Sequence, residues 1–556
     1  MSESAAAGLA TSSPERPLSR GTRIAIGVVL AGAFLMRARL LEVPLGRDEG
    51  VYAYIAWLIL HGVPLYTSTV DLQMPGLWML YSLFLRFLGT SGVGIHLGLL
   101  IANLTSTWFV FLLGRRLLSQ RAGVVAAACF AAMTLSQRML GFTANAEHFV
   151  VGFSLAGLVC LERALAVGSR RGLFVAGLLL GLGLMMKQHG IFFVAFGGGF
   201  VVYTAAVNPP LLGRAHLERA LFYGLGALAP FGLACVWFAG RGVFGEFIFW
   251  AFQYSSTYGF DRGLSDAIEA LQLNTVPILP SVLGFALLLV VGLGDQLRRI
   301  FLVPGDRQRA AFLVGFFAFT IASVIPGLVF RQHYFLMVVP AAGLLCAAGI
   351  ETLVRATRVP NGRAAAIGAT LLTSLAIAQF AFAERLYLFR LSPDQIARYT
   401  YQLNPIVELR EIAGFIRART APNDRVAVLG SEPQIYLYAN RRSASTLIVM
   451  YPMMWAPPDM ALALQQKTID EVESVRPKII VAVDNATSWA FEEYSDRYIV
   501  RWMTDFVRRE YSLVGLVDVN YPQPSVVIFG PEAARYQPKS SSVVRIFERR
   551  PPPPPG

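Results

Sequence analysis

Charge is scarce in this chain. Asp, Glu, Lys and Arg make up 15% of its 556 residues, while 55% are hydrophobic. A soluble protein carries roughly a quarter charged residues, so an ordinary water-soluble class is excluded. Cysteine is rarer still. Cys129, Cys160, Cys235 and Cys346 are the four present, and each falls inside an apolar run. They support neither a disulfide framework nor a Cys-based metal site, and each reads as a small buried hydrophobe. A phosphate-cradling P-loop, a nicotinamide fingerprint, a metalloprotease helix and zinc-ligand spacing are all missing. Nucleotide-driven chemistry therefore has no support. No internal repeat stands out. The first apolar run follows a Ser/Pro-rich segment with Arg16, Arg20 and Arg23, but no small-residue cleavage site comes after it. It reads as an uncleaved span rather than a signal peptide.

What the chain has instead is apolar length. Stretches of about 18–22 residues, enough to cross a bilayer, recur as far as residue 384. Eleven spans are expected, near 24–41, 92–113, 122–141, 146–165, 172–188, 190–207, 219–239, 278–297, 310–330, 335–354 and 364–383. The hairpin at Lys187–Gly190 is the pivot of this count, because losing one span there inverts everything after it. Loop charges set the orientation. With the N-terminus inside, the inner segments hold Arg16, Arg20, Arg23, Arg115, Arg116, Arg121, Arg163, Arg170, Arg171, Arg214, Arg219, Arg298, Arg299, Arg307, Arg309, Arg355, Arg358 and Arg363. The outer loops hold Arg47, Arg86, Lys187, Arg241, Arg262 and Arg331, a threefold smaller set. By the positive-inside rule the N-terminus is cytoplasmic and the C-terminal region extracytoplasmic, in a plasma (inner) membrane. The net charge of +13 then reflects topology and not a nucleic-acid partner.

The expected organisation is a cytoplasmic tail (1–23), a membrane region (24–384), an α/β domain (385–550) and a proline-rich end (551–556). The first long outer segment, 42–91, carries the helical run Val51–Leu60 and the apolar run Trp78–Leu88. Both read as helices lying in the membrane interface. The second, 240–277, is aromatic-rich and suits a flap over a cavity. Beyond residue 385, helix-like runs (Pro405–Thr420, Pro458–Val475) alternate with β-branched runs (Arg425–Leu429, Thr446–Met450, Lys478–Val483, Ser525–Phe529). Such alternation argues a small α/β domain.

Polar motifs fall on one expected face: Arg47-Asp48-Glu49, Asp71, Asn145-Ala-Glu147, Lys187-Gln188-His189 and Arg331-Gln332-His333-Tyr334. A carboxylate such as Asp48 can take a proton from an attacking hydroxyl, or it can cap the helix that begins near Val51. Glu147 heads a span, where the helix dipole alone would favour an acid. Lys187 can hold a phosphate as a point charge or snorkel to the interface. Arg331 can grip a phosphate bidentately, with His333 and Tyr334 beside it. Arg37 and Arg39, near the outer end of the first span, either snorkel or point inward as phosphate ligands. His61 and His96 have no clustered partners and read as structural.

The first span followed by RDEGVYAYIAWLILHGVPLY and then DLQMPG resembles the GT-C glycosyltransferases. It is most similar to the bacterial branch related to dolichyl-phosphate-mannose–protein mannosyltransferases and to lipid A aminoarabinose or galacturonic acid transferases. The trailing SEPQIYLYANRRSAS segment is similar to the periplasmic domain of such members. The resemblance implies a GT-C fold and a polyprenyl-phosphate-linked sugar donor. It further implies a lipid, glycan or protein acceptor on the extracytoplasmic side, and transfer by a single displacement that inverts the anomeric centre. Asp48 matches the family's proposed catalytic base and Glu49 its partner. Glu49, Asp71 and Glu147 are then candidates to orient acceptor or sugar or to hold a divalent cation. Lys187, Arg331 and Arg37 or Arg39 are candidates to balance the departing phosphate. Many relatives carry a Lys before a proline pair in the first loop. Here the segment reads Gln73-Met74-Pro75-Gly76, so that phosphate contact must come from elsewhere. A transporter or flippase is the competing expectation, and a non-catalytic scaffold a third. Ionisable groups at span ends rather than at the midplane disfavour transport.

Overall fold

The computed structural model describes residues 17–67, 69–207, 213–257, 262–357 and 362–551. Arg16 and most of the expected N-terminal tail, Arg358, and the prolines after Pro551 lie outside these residues.

The chain is a multi-pass membrane protein. Its first nine long helices are α1 (Arg20–Ala38), α2 (Arg47–Leu60), α3 (Pro75–Phe87), α4 (Gly92–Leu117), α5 (Gln120–Met133), α6 (Ala146–Val167), α7 (Arg170–Met186), α8 (Ile191–Val207) and α9 (Arg214–Gly240). Helices Leu279–Leu302, Arg307–Ala322, Val339–Ala356 and Arg363–Ala383 complete the membrane region. Each of the eleven expected spans has a helix, but among the described residues eight are long and apolar enough to cross a membrane. The three short ones stop for local reasons. α5 ends at Met133, eight residues before the expected 141, because the chain folds back through Leu140, whose φ is +52°. Arg307–Ala322 ends before Pro326, and Gly327, Leu328 and Phe330 all adopt positive φ. α7 ends at Met186, where Lys187 is extended (φ −161°) and a single turn, Gln188–Gly190, leads into α8. The pivotal hairpin is thus a tight reversal. A Cβ on Gly190 would sit 2.6 Å from the Leu184 Cα, so only glycine allows it.

Segment 42–91 departs from expectation in one helix. α3 exposes Met79, Leu83 and Phe87. α2 does not lie open at the interface: Glu49 to Ala56 are all buried. Apolar all round, it is covered on one side by α3 and on the other by the trailing domain. The Ser443 amide donates to the Tyr54 hydroxyl (2.7 Å), Gln434 Nε2 donates to Leu45 O (3.1 Å), and the Tyr54 and Tyr436 rings lie 5.0 Å apart.

The trailing domain is α/β. Its six strands, β1 (Arg425–Leu429), β2 (Arg442–Ser443), β3 (Ile479–Asp484), β4 (Tyr511–Asp518), β5 (Val526–Phe529) and β6 (Val543–Arg549), form one sheet in the order β2-β1-β3-β6-β4-β5. β1 runs parallel to β2 and β3, and the remaining pairs are antiparallel. Helix Pro458–Val475 lies where expected and Leu409–Arg419 covers the core of Pro405–Thr420. Thr446–Met450 is no strand. Glu471 holds its Thr446 amide (2.8 Å), and the Val70 amide of segment 42–91 donates to Thr446 O (3.3 Å). Its apolar side chains, Leu447 to Met450, are buried in the core instead of extending the sheet.

Candidate functional site

One end of the helical bundle and the underside of the α/β domain enclose a cavity of about 870 Å³. Its walls come from distant parts of the sequence: the start of α2, the turn after Val70, the α7–α8 reversal, the strained segment at 326–334, and the trailing domain. Arg47, Asp48, Glu49, Asp71, Lys187, Gln188, His189, Arg331, His333 and Tyr334 all line it. Asp48 and His333 therefore face the same space.

The neighbouring acids Asp48 and Glu49 behave differently. Glu49 is 1% exposed and both its oxygens are engaged. Oε2 accepts from the Gly46 amide (2.8 Å), closing the first turn of α2. Oε1 accepts from the Ala144 amide (2.6 Å) and pairs with His96 Nε2 (2.9 Å), whose other ring nitrogen lies 3.0 Å from Leu41 O. Glu49 thus fastens α2 to α4 and to the chain before α6. Asp48, one helical step round, is half-buried and makes no hydrogen bond or ion pair among the described residues. Tyr401 closes the space above it. Its hydroxyl sits 2.6 Å from where a Cβ on Gly46 would be, so a larger residue at 46 would displace it.

Asp71 is buried, with one carboxylate oxygen unpartnered. Burial pushes its carboxyl up to about 6, and the nearby Asp48 charge adds to the effect. Glu147 lies one layer behind the wall. Its Oε1 accepts from Lys187 Nζ (2.6 Å) while Oε2 is buried without a partner. An ammonium has three donors, so this bond leaves Lys187 others to offer the cavity. Lys187 also lies 4.1 Å from the centre of the Tyr334 ring, at cation–π distance. The His189 and His333 rings meet Tyr334 edge-on at 4.9 and 5.0 Å. Burial, reinforced by the Lys187 and Arg331 charges, pushes His333 down to about 3 against the opposing pull of Asp48. It is a neutral hydrogen-bonding group at neutral pH. Arg331 is exposed, its guanidinium 5.8 Å from the centre of the Trp455 ring.

Other expected ligands have structural work. Arg37 is 4% exposed and donates to Gly141 O, Thr134 O and Asn103 Oδ1 at 2.9–3.0 Å. Arg39 donates to the carbonyls of Tyr387, Leu388 and Leu391. Neither lines the cavity, and neither snorkels, because backbone carbonyls already surround both guanidinium groups. They are removed from the set of phosphate candidates. Arg47 reaches upward instead: it donates to Ser431 O (2.6 Å), Thr487 O (2.8 Å), Asn404 Oδ1 (3.2 Å) and Glu432 Oε1 (3.0 Å). Gln188 donates to Leu72 O (2.6 Å) and Ala251 O (2.9 Å), pinning segments 42–91 and 240–277 together. Among the described residues no three His, Cys, Asp or Glu side chains gather as metal ligands.

Sequence reasoning missed Tyr52, Tyr401, Tyr451 and Trp455, which give the cavity its aromatic walls. Aromatics in apolar helices and in a distant α/β domain carry no signal until the two regions meet. His96 was expected to be structural, and the partner that makes it so is Glu49.

Dolichyl-phosphate-mannose-protein mannosyltransferase is the family whose model matches, over residues 73–237. No curated protein matches the chain. Among solved structures, ArnT from Cupriavidus metallidurans bound to undecaprenyl phosphate is similar with a TM-score of 0.56. It is 14% identical, and the match covers 95% of this chain and 98% of that one. The apo oligosaccharyltransferase of Archaeoglobus fulgidus gives 0.52 at 12% identity, covering 90% and 76%. The Archaeoglobus fulgidus AglB in complex with an inhibitory peptide and a dolichol-phosphate gives 0.50 at 12% identity, covering 92% and 75%. The fold is that of the GT-C glycosyltransferases.

Proposed function

We propose that this chain is an integral membrane glycosyltransferase. It moves a monosaccharide from a polyprenyl-phosphate donor to a cell-envelope acceptor on the extracytoplasmic face, with Asp48 as general base. The observation that carries this reading is the contrast at α2: Glu49 is wholly engaged in holding the wall together, while Asp48 presents an unpaired carboxylate to the cavity. The fold and the partial family match support the reaction class, and the lipid phosphate named with ArnT supports the donor class.

The chemistry needs one group that accepts a proton and others that accept negative charge. The acceptor oxygen attacks the anomeric carbon, and its proton passes to Asp48. The bond from the anomeric carbon to the phosphate oxygen breaks, and the electron pair leaves with polyprenyl phosphate. Lys187 and Arg331, fixed at the cavity wall, stabilise that departing charge. Neutral His333 and Tyr334 shape the sugar side, and Asp71 faces its hydroxyls. One displacement inverts the anomeric centre. The arginines gathered at the opposite end of the bundle support this orientation.

Asp48→Asn, assayed in membranes with labelled polyprenyl-phosphate sugar, is the test. Transfer should fall by about 10²–10⁴ with normal expression. Full transfer by a well-expressed variant would remove Asp48 as the base.

A further inference from the structure

A second cavity, of about 780 Å³, lies at the other end of α2. Trp57, Leu60 and His61 close α2 on its floor, Ser91 to Val93 open α4 on one side, and Arg410 and Arg417 reach in from helix Leu409–Arg419. α2 has 14 residues, about 20 Å of helix, so the two cavities are separate compartments sharing one rod.

This compartment is built for an anion with an apolar attachment. Arg410 and Arg417 are both exposed. Arg410 donates to Glu42 O (3.0 Å) and has a loose ion pair with Asp394 (3.6 Å). The Arg417 side chain makes no hydrogen bond or ion pair among the described residues. Glu42 is the one acid of the lining, against two arginines. The Trp57 and His61 rings, 4.1 Å apart, offer an amphipathic platform of the kind that sits at head-group level. The first-turn amides of α4 lie alongside, with no side-chain cap from Ser91, and add fixed positive potential. The flank is apolar: Leu60 and Val93, 40% and 37% exposed, line the cavity together with Leu85 of α3, a helix that also exposes Leu83 and Phe87. A soluble phosphate ester would gain nothing from that flank. A lipid would use both halves.

We propose that this second cavity binds the phosphate head group of an anionic membrane lipid, with Arg410 and Arg417 on the phosphate and the chains along Leu60, Val93 and α3. The site does not rest on the sugar-transfer reading, and either can fail without the other.

The test uses the full-length protein in nanodiscs carrying a trace of phosphatidic acid with a photoreactive group high on its acyl chain. Cross-links should map to Trp57–His61 and Ser91–Val93. Arg417→Glu should lower them roughly tenfold, whereas Arg535→Glu, an exposed charge reversal elsewhere on the trailing domain, should not. Equal labelling by a phosphatidylcholine probe, undiminished labelling of Arg417→Glu, or an equal drop with Arg535→Glu would each overturn the site. Loss of labelling to excess inorganic phosphate but not to unlabelled phosphatidic acid would overturn the lipid and assign a soluble phosphate ester.

Discussion

The two ends of the helical bundle treat their acids in opposite ways. Away from the large cavity, carboxylates are answered by arginine: Glu162 by Arg116, Glu218 by Arg170 and Arg214, Asp295 by Arg298, Arg299 and Arg355, Glu351 by Arg121. At the cavity end Glu147 has Lys187 and Glu49 has His96, but Asp48 and Asp71 have no ion pair among the described residues. An acid whose charge is met locally fixes helices in place. An acid left facing open volume stores unfavourable electrostatics that a substrate can relieve. Paired acids hold the bundle together, whereas Asp48 and Asp71 leave their charge to the cavity.

Three measurements would break or sharpen that division. The largest effect should come from Glu49→Ala, which strips two backbone amides and His96 of a buried acceptor. Thermal unfolding in detergent should show a loss of about 3–5 kcal/mol, and an unchanged midpoint would mean the fastening is not real. Asp71 should give a smaller effect that depends on pH. Its carboxyl binds a proton more tightly folded (about 6) than unfolded (3.8). This group's stabilisation is complete at low pH and is lost as pH rises through about 6, a difference of up to about 3 kcal/mol. Asp71→Asn should therefore unfold at a higher temperature than the parent at neutral pH, and the gap should narrow toward pH ~4. A gap independent of pH would place the effect elsewhere. The smallest should be Asp295→Asn at the opposite end, about 1–2 kcal/mol of stability with sugar transfer per folded molecule unchanged. A selective loss of transfer would erase the distinction between the ends.

The sequence made some of this legible and hid the rest. Span positions were readable because crossing a bilayer demands only apolar length, and α4, α6 and α9 fall where expected. Their exact ends were not, since the stops at Met133 and Ala322 depend on the backbone turns that follow. Thr446–Met450 looked like a strand because a β-branched apolar run reads alike whether it joins a sheet or packs under another domain. The burial of α2 was invisible for the same reason. Arg37 and Arg39 had the right position for phosphate ligands, but carbonyls of the α5–α6 connection and of residues 387–391 took their donors. Nor could the order Asp-Glu say which acid is available. His96 and the Ala144 amide decide that, and neither is near in sequence.

Arg47 has a consequence for how the molecule is made. Its four acceptors, on Asn404, Ser431, Glu432 and Thr487, leave the ribosome long after α2 does. The floor of the large cavity is inserted early in synthesis and its roof arrives in the final third of the chain. Until then the residue next to Asp48 has nothing to grip, so a nascent or truncated chain should have an open vestibule.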